Sequence, residues 1–296
     1  MSAVASKEPP VLDRVPPIGL VLTGIGSVQF GAALAATMFD DLGPAGASTL
    51  RLIFAALVLV AVARPSLRGR APGALRLAAA FGIALGTMNL AFYEALDRLP
   101  LGVAVTVEFA GPLGVAVATS HRRLDLLWAA LAAAGIVLLS GIGATGVHAI
   151  DGLGLALALV AGACWAAYIL IAQRVGRAFP RMDGLAIAMV LAALVPLGPG
   201  IAEAGSALLH PGLLALGAGV ALLSSVIPYS LEIEALRRLP AHVFGIFMSL
   251  EPAVAALAGL VVLGQSLSAR QLGAMALVVA ASAGVSRTAP PPSPEA

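Results

Sequence analysis

The sequence predicts an all-α integral membrane protein, with ten transmembrane helices arranged as two inverted five-helix repeats. Three observations carry that expectation: a composition too apolar for water, ten apolar stretches of spanning length, and a heptapeptide that recurs 140 residues downstream. Of 296 residues, 60% are apolar and only 11% are charged, against roughly 45–50% and 25% in soluble domains. So few charges cannot wet a globule of this size, and a mean hydropathy of +1.00 names lipid as the solvent. No polar stretch is longer than residues 1–17, which leaves no room for a soluble ATPase, kinase or binding domain. Any work must draw on a gradient.

A helical span needs about 20 mostly apolar residues. The first such stretch, 18–38, follows Pro16-Pro17, and the second, 44–63, opens on Pro44 and stops at Arg64-Pro65. The third, 74–95, follows Pro72 and ends before Asp97-Arg98; the fourth, 100–119, opens on Pro100 and ends before Arg122-Arg123. The fifth is 124–142 and the sixth, 152–173, runs from Asp151 to Arg174. The remaining four are 184–203, 211–233, 240–263 and 269–286.

Positive residues are retained on the cytoplasmic side, so alternate loops test the count. With the N-terminus inside, the inside segments hold Lys7, Arg14, Arg64, Arg68, Arg70, Arg76, Arg122, Arg123, Arg174, Arg177, Arg181, Arg237, Arg238 and Arg287. The outside loops hold only Arg98 and Arg270, and Arg51 lies within a span. Both termini, 1–17 and 287–296, are therefore expected in the cytoplasm. The basic start, the apolar run from Ile18 and Ala33-Leu34-Ala35 resemble a cleavable signal peptide. The first span is instead expected to stay, because the repeat needs it as the partner of the sixth.

That repeat shows in Glu94-Ala95-Leu96-Asp97-Arg98-Leu99-Pro100 and Glu234-Ala235-Leu236-Arg237-Arg238-Leu239-Pro240, six identities in seven. The same offset puts Pro112 on Pro252. The fourth and ninth spans are then equivalent, which divides the chain into units at 18–142 and 152–286. Five is odd, so the second unit enters the membrane from the opposite side. Inverted repeats around a midplane site recur in secondary transporters.

Polar side chains at mid-span are costly in lipid and are functional candidates. Here they are Gln29, Arg51, Asn89, Tyr93 and Glu108 in the first half, and Trp165, Tyr168, Tyr229, Glu232 and Glu251 in the second. Glu108 and Glu251 lie deepest, displaced by three residues under the repeat and so one helical turn apart on one face. Each has a proline beside it, Pro112 or Pro252, which has no N–H and frees the carbonyl of Glu108 or of Met248. Loss of water favours the neutral form of a carboxyl group, so such a group can carry a proton across. The plainer alternative is that both glutamates are satisfied by Arg51 or a backbone amide and only lock helices. Arg51 suits either a substrate carboxylate or one of these glutamates. Asn89, Tyr93, Trp165, Tyr168 and Tyr229 are candidate cavity walls, although aromatics in spans also serve as packing. Glu232, near the cytoplasmic end of its span, is a weaker candidate, and Gly82 and Gly86 read as a close helix contact.

Other chemistries have little support. Cys164 is the only cysteine, the four histidines lie singly near span ends, and no metal cluster or cofactor motif is present. A net charge of +2 gives no reason to expect a nucleic-acid partner. No hydrolase or nucleotide-binding motif occurs, so an enzyme is not expected.

Four stretches carry a resemblance. They are Pro100-Leu101-Gly102 with Glu108-Phe109-Ala110-Gly111-Pro112-Leu113; Gly162-Ala163-Cys164-Trp165-Ala166-Ala167-Tyr168-Ile169-Leu170; Pro228-Tyr229-Ser230-Leu231-Glu232; and Ser249-Leu250-Glu251-Pro252-Ala253. In this order, on a five-plus-five plan, the chain resembles the EamA-type carriers of the drug/metabolite transporter superfamily. The resemblance implies a bacterial inner-membrane carrier that exports small amino acids, threonine and homoserine foremost, in exchange for protons and without a cofactor. A homodimer is compatible with the plan. Two alternatives stay open. One is export of another metabolite or drug-like compound, which an aromatic content of 5% argues against mildly; the other is a non-transporting membrane scaffold.

Overall fold

Proline has no N–H to leave unpaired in a first helical turn, and three of the long helices open on one. In the computed structural model of the chain, which describes residues 15–118, 123–140, 151–180, 182–239, 244 and 247–288, the regular elements are all helical. Lys7, Arg14, Arg122 and Arg181, with His121, His148, His242 and Pro240, lie outside the described residues, as do the tail residues 1–14 and 289–296. The helices are α1 (Pro17–Ala36), α2 (Phe39–Ala63), α3 (Pro72–Leu96), α4 (Leu101–Glu108), α5 (Ala110–Ala118) and α6 (Arg123–Ser140). After these come α7 (Gly152–Ala178), α8 (Asp183–Ala204), α9 (Pro211–Ala221), α10 (Ile227–Arg238), α11 (Glu251–Leu263) and α12 (Ala269–Thr288). A 3-10 turn at Gly205–Leu209 follows α8, and a π-helical turn at Leu222–Val226 joins α9 to α10 without a break.

Among the described residues, six helical runs are long and apolar enough to cross a membrane, and three shorter apolar helices accompany them. Polarity is arranged inside out. Val62 (69% exposed) and Leu126 (66%) face outward, while Arg51, Glu108 and Glu251 are each 5–7% exposed. A bundle with apolar residues outside and charges inside matches lipid, and the chain is an all-α multi-pass membrane protein.

Three spans differ in detail from the sequence expectation. α2 starts at Phe39 rather than 44 and is kinked at Gly43, whose φ of 66° favours a residue without Cβ. Beyond the kink, the free Ala45 N–H donates to the Glu203 carboxylate of α8 at 3.0 Å. The stretch expected as one helix at 100–119 is broken at Phe109, because Pro112 cannot donate to the carbonyl of Glu108. In the stretch expected at 240–263, residues 244 and 247–248 are helical, a turn at Ser249–Leu250 interrupts the helix, and α11 follows from Glu251 with Pro252 in its first turn; residues 240–243 and 245–246 lie outside the described residues.

Small residues let backbones approach where lipid gives no hydrophobic drive between helices. α2 packs along α8, α3 against α7 and α8, α1 against α10 and α11, α4 against α7 and α11, α5 against α7, and α6 against α12. The expected contact at Gly82 and Gly86 is present: a Cβ at either would lie 2.5 Å from the Ala188 or Ala192 carbonyl of α8. The break at Phe109 is seated the same way on α7. A Cβ at Gly162 would lie 2.6 Å from the Glu108 carbonyl oxygen, and a Cβ at Gly111 would collide with the Gly162 carbonyl.

Gly162→Ala is therefore expected to lower stability by about 1–3 kcal/mol through overpacking. Gly114→Ala, where nothing lies within 4 Å of the new methyl group, is the control. Thermal unfolding of both variants in detergent reads the difference.

Candidate functional site

Arg51 sits midway along α2 and is 6% exposed. Its Nη2 donates to the Ser224 carbonyl (3.0 Å), Nη1 to the Tyr93 hydroxyl (3.3 Å) and Nε to the Ser225 hydroxyl (3.5 Å). The Tyr93 ring lies under the guanidinium, 5.5 Å from Cζ to centroid. The Ser224 carbonyl is open to Arg51 for a local reason. Its α-helical partner would be the N–H of residue 228, which is proline, and the π-helical turn widens the helix there. Of the five guanidinium N–H groups, three are used in this way.

Arg51 forms part of the wall of a cavity of about 630 Å³. Gln29, Asn89, Glu108, Pro112, Trp165, Tyr168, Tyr229 and Glu251 line the same cavity. Of the residues expected at the site, Tyr93 and Pro252 are not on its wall: Tyr93 is fully buried behind Arg51, and Pro252 starts α11 beside Glu251. Tyr168 stacks on Phe81 (5.0 Å between centroids), and Trp165 meets Phe109 edge to face (5.6 Å). Asn89 donates to the Leu85 carbonyl at 2.8 Å within its own helix.

Among the described residues, neither Glu108 nor Glu251 makes an ion pair or hydrogen bond, and Arg51 pairs with no carboxylate. The charges still act on one another: Glu251 stands in the field of Glu232 and Glu108, and Glu108 in that of Arg51. Away from the cavity wall, α4 packs closely on α11 and the residues just after it. There the Leu101 N–H donates to Gln265 Oε1 at 2.9 Å, and a Cβ at Gly102 would lie 2.9 Å from Ala256.

Sequence reasoning passed over several wall residues. Ser224, Ser282, Phe92 and Phe244 are on the wall, as is Glu232, which was expected only as a weaker candidate. The signal for Ser224 was available: a serine four residues before a mid-span proline repeats the Glu108 and Pro112 pattern. No comparable signal marks Phe92 or Phe244. Six aromatic residues reach this one cavity, so the low overall aromatic content is a poor guide to it. Cys164 is a free, half-buried thiol, and among the described residues no His, Cys, Asp and Glu group could hold a metal.

A lipid-facing helical bundle that encloses charged side chains around one cavity defines a membrane carrier of small solutes. Comparison with known proteins agrees. The EamA-like transporter family matches residues 152–287. The chain is 44% identical over 273 residues to the threonine/homoserine exporter RhtA of Escherichia coli (strain K12), and 43% identical to that of Salmonella typhimurium (strain LT2), covering 92% of each chain in both cases. A solved crystal structure of a protein 18% identical superposes with a TM-score of 0.60, covering 90% of this chain and 95% of that one, and shares the fold. The chain belongs to the EamA-like transporter family, in the group of the RhtA exporters. This is a family of transporters rather than enzymes.

Tyr93→Phe keeps the ring under Arg51 and removes the hydroxyl acceptor, with an expected loss of about 0.5–1.5 kcal/mol. Tyr93→Leu also removes the ring and leaves a cavity, and is expected to cost at least about 2 kcal/mol more. Thermal unfolding of the two variants in detergent checks the order.

Proposed function

We propose that the protein exports small amino acids of the threonine and homoserine type across the bacterial inner membrane, by alternating access coupled to protons. The observation that carries this reading is the charge layout of the 630 Å³ cavity, with one cation and three carboxylates on its wall. An amino acid is a zwitterion. Its carboxylate suits the two N–H groups that Arg51 has left, in the forked geometry guanidinium gives, and its ammonium suits Glu108 or Glu251. Neither glutamate has another partner among the described residues, so each is available to a proton when the substrate has left.

The machinery in this reading is ten spans in two inverted units, 18–142 and 152–286, with both termini cytoplasmic. The packing pairs support it. Exchanging each span for the one five further on turns α1·α10 into α3·α7, α1·α11 into α5·α7 and α2·α9 into α3·α8, and leaves α2·α8, α4·α11 and α6·α12 unchanged. The family match at 152–287 covers the second unit. Under this topology the α4–α11 seam is on the outer side, and the cavity wall reaches Ala172 and Glu232 on the cytoplasmic side.

A second reading has one observation in its favour. Phe92, Phe109, Trp165, Tyr168, Tyr229 and Phe244 give the cavity an aromatic lining suited to a larger organic cation. A substrate panel in reconstituted vesicles separates the two, with threonine transported and aromatic cations not.

Glu108→Gln and Glu251→Gln test the coupling in proteoliposomes. Uptake driven by a pH gradient is expected to fall at least about tenfold in one or both, a loss of more than 1.4 kcal/mol. Exchange of labelled for unlabelled threonine should be reduced less, because it needs no net proton movement. Unchanged gradient-driven flux in both variants would remove the proton role. Orientation is read with a membrane-impermeant maleimide on intact cells, in a Cys164→Ala background. Asp97→Cys is expected to be labelled from outside and Ser66→Cys only after permeabilisation.

A further inference from the structure

Buried side-chain polar atoms without a hydrogen-bond partner are rare, and each needs an explanation. Among the described residues four occur, and two of them belong to residues of the cavity wall: Gln29 Oε1 and Ser224 Oγ. The serine is explained by packing, because its hydroxyl is pressed against Gly31 of α1, where a Cβ would collide with it. Gln29 has no such explanation. It is 4% exposed, sits midway along α1, and makes no hydrogen bond, although amide side chains of helices in lipid commonly pair across helices.

Three other uncharged side chains around Arg51 already make hydrogen bonds. Tyr93 and Ser225 accept from the guanidinium, and the Asn89 amide donates to the Leu85 carbonyl. Tyr168, Tyr229 and Ser282 also reach the wall, but none of them contributes a buried atom without a partner. Gln29 is thus the wall residue whose amide is both buried and unspent.

We infer that Gln29 determines specificity for the carried amino acid, its amide binding a side-chain hydroxyl. This rests on the reading of the cavity as an amino-acid site, with the carboxylate on Arg51 and the ammonium on a glutamate. Those contacts use only what all amino acids share, so a preference needs a further group. A hydroxyl both donates and accepts, and so does a primary amide. The long glutamine side chain reaches a hydroxyl on either of two adjacent carbons, which accommodates threonine and homoserine alike. A ligand without a hydroxyl leaves the amide orphaned, and that is the kind of mismatch that discriminates strongly.

The two hydroxy amino acids share one deoxy analogue, 2-aminobutyrate, which makes the test direct. kcat/KM is measured for all three in proteoliposomes of the full-length protein, wild type and Gln29→Met. Wild type is expected to favour both hydroxy amino acids, and Gln29→Met to lower their ratio to 2-aminobutyrate at least tenfold, chiefly through KM. An unchanged ratio overturns the assignment and leaves Gln29 facing water only. An equal loss for all three also overturns it, since Gln29 would then serve the common backbone groups or the fold. Gln29→Asn keeps the amide but shortens it, and should shift the preference toward homoserine, whose hydroxyl lies one carbon further out; no shift counts against the proposal even where Gln29→Met cannot be purified. If wild type moves none of the three, the amino-acid reading itself fails and the subsite with it.

Discussion

A guanidinium in the middle of a membrane-spanning helix cannot be left without partners, and much of the architecture answers to that demand. Tyr93 of α3 and the Ser224–Ser225 pair of the π-helical turn converge on Arg51 of α2. Three helices from distant parts of the chain are thereby tied at one depth, and the remaining N–H groups are left toward the cavity. Arginine suits this position better than lysine, because its charge is spread over a rigid fork with five donors.

One backbone device recurs around the cavity. Pro112 opens the carbonyl of Glu108, Pro228 that of Ser224, and Pro252 stands four residues after Met248. Each time a residue without an N–H disrupts the helical ladder next to the polar interior. Irregular backbone at this depth is tolerated where it lines a cavity or is buried in protein. Under the proposed 140-residue repeat Pro112 and Pro252 coincide, whereas Arg51 falls on Leu191 and Pro228 on Met88.

The all-α, multi-pass character was legible because lipid enforces it: about 20 apolar residues are needed for each crossing, between charged or proline-rich breaks. Glu108, Glu251 and Arg51 were legible as candidates for the same reason, since charge at depth is expensive. Finer features depend on contacts between distant residues. That Tyr93 stands behind Arg51 instead of on the cavity wall follows from the approach of α3 to α2, which no local pattern encodes. The gathering of six aromatics on one wall is invisible to composition, which counts residues without locating them. The break at Phe109 was half legible: Pro112 signals a disrupted helix, but its seat against Gly162 depends on how α7 approaches.

That seat also has an electrical consequence. The Glu108 carbonyl and Gly111 are pressed backbone to backbone against Gly162, so in the proposed alternating access the break is the pivot between α4 and α5 as two arms. Glu108 is the last residue of one arm, next to the pivot, so it travels least when the arms swing. A charge moved fully across a bilayer does work of about 2.3 kcal/mol per 100 mV. A carboxylate held at the pivot moves through little of that field. In that proposed cycle, reorientation of α4 and α5 carries the Glu108 charge through little of the membrane potential.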